Sequence, residues 1–326
     1  MGEEIVSSPI KLTRFFGLNS KFSDIDTDPR EASALQNVNF TNENLEQRNG
    51  STKLNSTAFQ DSVATATEIT GLYEGILDGT RHQVGTGGDR FQELTSGTTW
   101  TNRTGGVTIT DSQDNLFSFS TFLDSGANEV FIMANGVDSP FKWDGSGNAS
   151  ALTSDPGNFK FQVVHKNKLW VSVGDTVYFS ALRNGESWDT TNDIIRFEGD
   201  GDNITGLAVY ADRLVVFKPK KIFMVSGSDN RDLFVQEIVT GDGCLSGYSI
   251  QEVESRRYGN ILVFLSNEGI LKGFNGSKNL LRLGEAATPL FNEMSRDRFQ
   301  YASSMNVHTL SQYWCSFTPW IVTGKH

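Results

Sequence analysis

The sequence predicts an all-β chain: a β-propeller of about five to six four-stranded blades behind an extended N-terminal arm. Three observations carry this. Short apolar runs crowd residues 159–227: Phe161–Val164, Leu169–Val173, Val177–Ser180, Ile194–Phe197, Leu207–Tyr210, Leu214–Phe217 and Ile222–Val225. Turn residues punctuate them at Lys166-Asn167, Gly174-Asp175, Asn184-Gly185, Gly199 to Gly201, Ala211-Asp212 and Pro219. Runs this short and this rich in β-branched and aromatic residues are strands joined by hairpins, and none carries a helical period. The pattern then repeats. Units open near Thr67, Asp114, Phe159, Asn203, Ser249 and Phe299, at gaps of about 47, 45, 44, 46 and 50 residues. Finally, 32 glycines, 7 prolines and abundant Ser, Thr and Asn make many tight turns.

A four-stranded blade has two apolar faces and buries them only against neighbouring blades, so such units come as an array. Secondary marks agree with the period. Trp143-Asp144-Gly145 and Phe274-Asn275-Gly276 close units, while Trp100 and Trp188 follow Gly-containing turns. A two-sheet sandwich or a β-solenoid is the alternative with comparable strand density.

Residues 1–58 read differently from 59–326, which form the propeller. Asp28-Pro29 is a helix N-cap followed by proline at the first helical position, predicting one or two turns over Arg30–Gln36. Gln36–Phe40 and Leu45–Arg48 flank a Thr-Asn-Glu-Asn turn and read as a hairpin closed by Asn49-Gly50. The sixth unit looks unfinished at the C-terminal end. An open ring exposes strand edges, so an N-terminal strand, Ile10–Phe16 or Asn37–Phe40, is expected to complete the last blade.

The 326 residues carry a net charge of −11. Such a surface does not attract nucleic acid by neutralising phosphates. No apolar run is long enough for a membrane helix, and the first residues lack the basic and apolar regions of a secretory leader. Cys244 and Cys315 make neither a disulfide framework nor a zinc site and read as reduced apolar residues. Four scattered histidines show no metal-binding spacing.

Candidate chemistry is sparse. The turns before Trp100 and Trp188 keep the Gly-x-Thr/Ser-Trp half of the Asp-box of sialidase propellers, but Glu93 and Ala181 stand at its Ser position, and Thr95 and Arg183 at its Asp position. That half is a structural turn around a packed Trp. Arg256-Arg257-Tyr258 reads as a hairpin tip. The acidic stretches 24–28 and 198–203 read as solvated turns, with calcium the sharper alternative at each. Gly85-Thr86-Gly87-Gly88 opens no helix and reads as a loop rather than a phosphate cradle. Lys218-Pro219-Lys220-Lys221 reads as an exposed hairpin tip. No catalytic, cofactor or metal site is assigned, and the chain reads as a non-enzyme.

Several segments together resemble a family. Gly17-Leu18-Asn19, Pro29-Arg30-Glu31-Ala32, Gln36-Asn37-Val38-Asn39-Phe40, Leu45, Arg48 and Gly50 resemble the arm that leads into a β-propeller in bacteriophage tail and head–tail virion proteins. Similar pieces follow in order: residues 165–170 (HKNKLW), 177–180 (VYFS), 186–189 (ESWD), 214–218 (LVVFK) and 264–270 (FLSNEGI). The resemblance implies a structural protein of the virion, of the tail nozzle or tail-hub type, made in the host cytoplasm. It implies a homo-oligomeric, hexameric ring meeting adaptor and tail fibre proteins, with phage DNA passing through without sequence recognition and no membrane contact. Acidic residues lining such a passage would repel the duplex. The interface residues expected are Leu12, Arg14, Phe15, Phe16 and Phe22 in the arm, and Lys218, Lys220 and Lys221 at the basic tip. A receptor- or carbohydrate-binding propeller is the other reading. A glycoside-cleaving enzyme would need two carboxylates facing each other across a pocket.

Overall fold

The computed structural model describes residues 17–19, 28, 30–32, 38–41, 44–47, 54–229, 231–292, 294–308 and 312–317. The arm contributes β1 (Gly17–Leu18), β2 (Glu31–Ala32), β3 (Val38–Thr41) and β4 (Asn44–Gln47). Blade 1 holds β5 (Gly71–Leu77), β6 (Thr80–Gly87), β7 (Arg90–Thr95) and β8 (Thr99–Asn102). Blade 2 holds β9 (Ser118–Leu123), β10 (Glu129–Ala134), β11 (Phe141–Trp143) and β12 (Ser150–Ala151). Blade 3 holds β13 (Phe161–His165), β14 (Lys168–Val173) and β15 (Thr176–Ala181), with its outer position shared by β16 (Asn184–Trp188) and β17 (Ile194–Arg196). Blade 4 holds β18 (Gly206–Tyr210), β19 (Arg213–Phe217), β20 (Lys221–Ser226) and β21 (Phe234–Thr240). Blade 5 holds β22 (Gln251–Ser255), β23 (Gly259–Leu265), β24 (Leu271–Phe274) and β25 (Leu281–Arg282). The short helix α1 (Thr288–Asn292) and 3-10 turns lead to the sixth unit, β26 (Ser303–Val307) and β27 (Gln312–Ser316).

The chain is therefore all-β, with five blades of four-stranded character arranged as a propeller. Each blade is an antiparallel meander in sequence order. The first strand of each unit starts two to four residues after the position read from the sequence. Neighbouring innermost strands begin side by side: the Phe117 amide donates to the Thr70 carbonyl, Ser118 Oγ to the Lys160 carbonyl, and Gln251 Nε2 to the Ser304 carbonyl. They thus run in one direction around the axis.

The five buried clusters lie between successive blades. Phe91 of blade 1 meets Phe131, Phe141 and Trp143 of blade 2. Phe122 and Ile132 of blade 2 meet Leu169 and Val171 of blade 3. Trp170 and Phe179 meet Leu214 and Val216. Val215 and Phe217 meet Leu262 and Phe264. Leu265 meets Phe299 and Ala302 ahead of the sixth unit. Alternate residues of one strand serve different clusters: Val215 and Phe217 point to blade 5, Leu214 and Val216 to blade 3. Strands buried on both faces read as continuous apolar runs instead of an alternation.

Two local expectations are corrected. Glu31–Ala32 is a strand, not part of a helix over 30–36. Asp28 does act as a turn-former, accepting from the Arg30 amide at 2.9 Å and from its guanidinium, and this local turn competes with helix. Gly85 to Gly87 belong to β6 rather than to a loop. Their lack of side chains serves close approach: a Cβ on Gly85 would meet Phe59 and Leu72, and one on Gly87 would run into the Glu68 carbonyl. The strap 54–70 can therefore lie flat on blade 1. The hairpin read near residue 40 is present as β3–β4. Of the strands expected to complete the last blade, Ile10–Phe16 lies outside the described residues. Val38–Phe40 pairs with β4 among the described residues.

Candidate functional site

A cavity of about 690 Å³ opens where the innermost strands start, between blades 1, 2 and 5 and the sixth unit. Across it Tyr248 donates its hydroxyl to the Leu116 carbonyl at 2.6 Å, and its ring packs on Phe161 at 5.3 Å. Burial pushes the Tyr248 hydroxyl well above the ordinary tyrosine range, so it stays a neutral donor. Gly247 permits this crossing, because a Cβ there would lie 2.5 Å from both the Phe161 ring and the Thr205 carbonyl. The axis of one propeller is thus spanned by side chains.

One face of the sixth unit is anchored. Tyr313 donates to the Ser249 carbonyl at 2.7 Å, Ser304 Oγ to the Tyr248 carbonyl, and Asn306 to the Glu252 carbonyl. The other face carries Met305 and its cross-strand neighbour Trp314, 54% and 39% exposed. On blade 1, Leu72 and Ile76 are 64% and 60% exposed. Single exposed hydrophobics are ordinary; Leu72, Met305 and Trp314 share the lining of this cavity.

Three charge clusters, each around a buried charged side chain, escaped the sequence reading. Glu93 accepts from Arg103 through Nε at 3.0 Å and Nη2 at 2.8 Å, and its other oxygen meets His82 Nδ1 at 2.8 Å. Lys142 joins Glu186 at 2.8 Å and Asp124 at 3.1 Å across blades 2 and 3. Lys272 joins Asp242 and Glu268 across the entry to blade 5. In the first two, the acid's lone pairs are taken up by protein donors, and the clusters tie loops and neighbouring blades together. Their sequence signal is a charge inside an apolar run: Glu93 in 90–95 (RFQELT), Lys142 in 141–143 (FKW) and Lys272 in 271–274 (LKGF).

The expected interface residues fare unequally. Leu12, Arg14, Phe15, Phe16 and Phe22 lie outside the described residues. Lys220 is exposed and Lys221 half-buried at the β19–β20 turn. Lys218 corrects the reading of an exposed tip: it is 1% exposed, with its ammonium against Asp200 and the Phe197 carbonyl. The acidic stretch 198–203 is the reason. Asp200 takes Lys218, with Lys221 3.5 Å away, and the Lys218 hydrogen bond above all holds its carboxyl below the usual range. We expect Lys218→Met to lower stability by about 2 kcal/mol, since it strands a carboxylate and a carbonyl. Lys220→Ala should stay within about 0.5 kcal/mol. Urea midpoints compare the two directly, and equal, silent substitutions would return Lys218 to the surface.

In the arm, two separated segments come together. β1 pairs in parallel with β2, Gly17 opposite Glu31 and Leu18 opposite Ala32. The Asn19 amide donates to the Ala32 carbonyl at 2.8 Å, and Asn19 Nδ2 donates to Glu31 Oε2 at 2.7 Å. Gly17-Leu18-Asn19 and Glu31-Ala32, singled out in the sequence as parts of one arm pattern, are two sides of one small ladder.

No protein-family model matches the chain, and no curated protein is detectably similar to it. Among solved structures it is similar to BBS1N in complex with ARL6DN (TM-score 0.43, 10% identity, 66% of this chain and 66% of that one). It is also similar to the N-terminal domain of Nup159 (TM-score 0.42, 10% identity, 65% and 62%). A third is the extracellular domain of the putative one component system BT4673 from B. thetaiotaomicron (TM-score 0.46, 9% identity, 80% and 33%). The match spans two thirds or less of each of these chains, and none is similar enough to bring a function to this protein.

Proposed function

We propose that this chain is a structural component of a bacteriophage virion, a tail nozzle or head–tail propeller that assembles as a homo-oligomeric ring around a DNA passage. The observation that carries the reading is the arm. The segments that resemble the virion family, Gly17-Leu18-Asn19 and Glu31-Ala32, pair with each other and are joined again by Asn19 and Glu31. The family likeness therefore falls on a built element and not on scattered identities. The net charge of −11 fits a wall along which DNA slides without sticking. The spanned axis of the single propeller agrees with a passage formed between copies.

Native mass spectrometry of the purified chain tests this. A closed assembly near six times the 36.0 kDa protomer is expected, with its yield reduced by Glu31→Ala, which removes the Asn19 partner. A chain that stays monomeric at tens of micromolar, with or without the substitution, would contradict the ring.

A further inference from the structure

His165, the last residue of β13, is only 5% exposed, and its ring nitrogen Nε2 has no hydrogen-bond partner among the described residues. The ring lies 6.3 Å from that of Trp170, whose Nε1 donates to the His165 carbonyl at 3.0 Å. Trp170 belongs to the cluster that joins blades 3 and 4, and Val163 packs on that cluster. Alternate residues of a strand share a face, so His165 stands on the same side as Val163. The imidazole sits at the rim of the seam between blades 3 and 4.

Charges surround this rim on both blades. Lys166, in the β13–β14 turn, reaches Asp212 in the β18–β19 turn at 3.6 Å, so an ion pair spans the seam next to His165 in the chain. Lys168 is the cross-strand partner of His165, and its ammonium lies over the Phe179 ring at 4.5 Å. The Arg183 amide donates to the Asn167 carbonyl at 2.7 Å, and exposed Arg213 follows Asp212. Among the acids, Asp193 and Asp229 lie on the Lys168 side and Asp232 on the Lys166 side. Burial above all, then Lys166, holds the His165 imidazole below the ordinary histidine range, and Asp212, whose side chain is 80% exposed, opposes them only in part. A neutral imidazole can leave Nε2 without a proton, but in the cation both ring nitrogens are donors. Protonation in place therefore buries an N–H without an acceptor and a charge without a matched partner.

We infer that His165 is an acid-sensitive latch on the seam between blades 3 and 4. Neutral, it lies beside Trp170 and the seam is shut. On taking up one proton from solvent it becomes a further cation beside Lys166 and Lys168 and leaves the interior, which loosens the β13–β14 turn from the β18–β19 turn. The sign follows from the direction of the shift. Folding weakens the hold of His165 on its proton, so the stabilisation is complete above the unfolded value near 6.5 and declines as pH falls below it. Opening then becomes up to about tenfold more frequent per pH unit. The latch is independent of any role in a virion.

Amide exchange on the full-length chain tests it, corrected for the intrinsic effect of pH and compared with His165→Phe, which keeps a ring of similar size and cannot titrate. Between pH 7.5 and 5.5 the protection of amides 165–170 should fall at least about threefold in the unsubstituted chain, while that of 130–134 in blade 2 holds. In His165→Phe the protection of 165–170 should not depend on pH over this range. An unchanged protection in the unsubstituted chain, or the same fall in the variant, would overturn the proposal. A fall of equal size at 130–134 would also overturn it, because the whole fold and not the seam would then be responding. Should His165→Phe fail to fold, exchange of the His165 Cε1 hydrogen, followed by mass spectrometry in the unsubstituted chain, decides. It should titrate with a midpoint below about 6.5, and a midpoint at or above that value would refute the latch.

Discussion

Trp143→Ala should lower stability by about 3–5 kcal/mol, the range for deleting a large buried aromatic. Trp143 is 1% exposed on β11 and fills the interface between blades 1 and 2. Its ring meets His82 at 5.1 Å, Phe91 at 5.8 Å and Phe131 at 6.0 Å, and its Nε1 donates to the Gly147 carbonyl at 3.3 Å. Truncation opens a cavity bounded by two stiff sheets, which cannot collapse into it. The urea midpoint should fall with little change in slope. Trp314→Ala, on the exposed face of the sixth unit, should cost about 1 kcal/mol or less. If Trp143→Ala were as mild, blades 1 and 2 would not share a packed interface.

The second large effect is expected at Glu186. Its side chain is fully buried. It accepts from Lys142 Nζ at 2.8 Å, the Thr153 amide at 2.7 Å, the Ser125 amide at 3.0 Å and Ser125 Oγ at 2.9 Å. Burial alone pushes its carboxyl up, but the Lys142 bond and the backbone and hydroxyl donors outweigh it and bring the pKa down to about 2. Lys142 is likewise disfavoured by burial and restored by Glu186 and Asp124, so its ammonium is held above the ordinary lysine range. Glu186→Ala leaves a largely buried ammonium with Asp124 alone and two amides without acceptors, a loss of about 3–5 kcal/mol. Glu186→Gln, which keeps an acceptor, should lose less.

The same group gives a pH dependence with a definite sign. A carboxyl lowered on folding stabilises the fold fully above its unfolded pKa, near 4.5, and loses that stabilisation as pH falls towards about 2. Unfolding free energy should therefore drop between these values in the unsubstituted chain. Glu186→Gln should flatten that part of the profile and leave the slope above pH 5 unchanged. An identical acid limb in both proteins would mean that Glu186 is not paired in the folded state.

The propeller was legible because its middle strands are buried on both sides. Val130 and Ile132 face blade 3 while Phe131 and Met133 face blade 1, so β10 appears in the sequence as an apolar run from Val130 to Ala134, and β19 and β23 carry similar runs. Two-residue turns marked the hairpins. Lys166-Asn167 and Ala211-Asp212 each take positive φ at both residues, as Asp78-Gly79 does, the geometry that matches the twist of paired strands. What stayed hidden depended on partners distant in sequence. Lys218 sits in a stretch that reads as a solvated tip and is drawn inward by Asp200. Glu93 and Lys142 look like surface charges until Arg103, Glu186 and Asp124 are brought beside them. The glycines of β6 suggested a loop because the strap that needs their bare backbone precedes them in the chain. The helix read after Asp28 yielded to a turn on Arg30 and to the pairing of Glu31-Ala32 with Gly17-Leu18.

An experimental density map of the full-length chain tests the central claim most directly. It should show the innermost strands β5, β9, β13, β18, β22 and β26 running in one direction around a common axis, with Tyr248 reaching across to the Leu116 carbonyl. Two sheets stacked face to face, with no axis and with Tyr248 remote from Leu116, would contradict it.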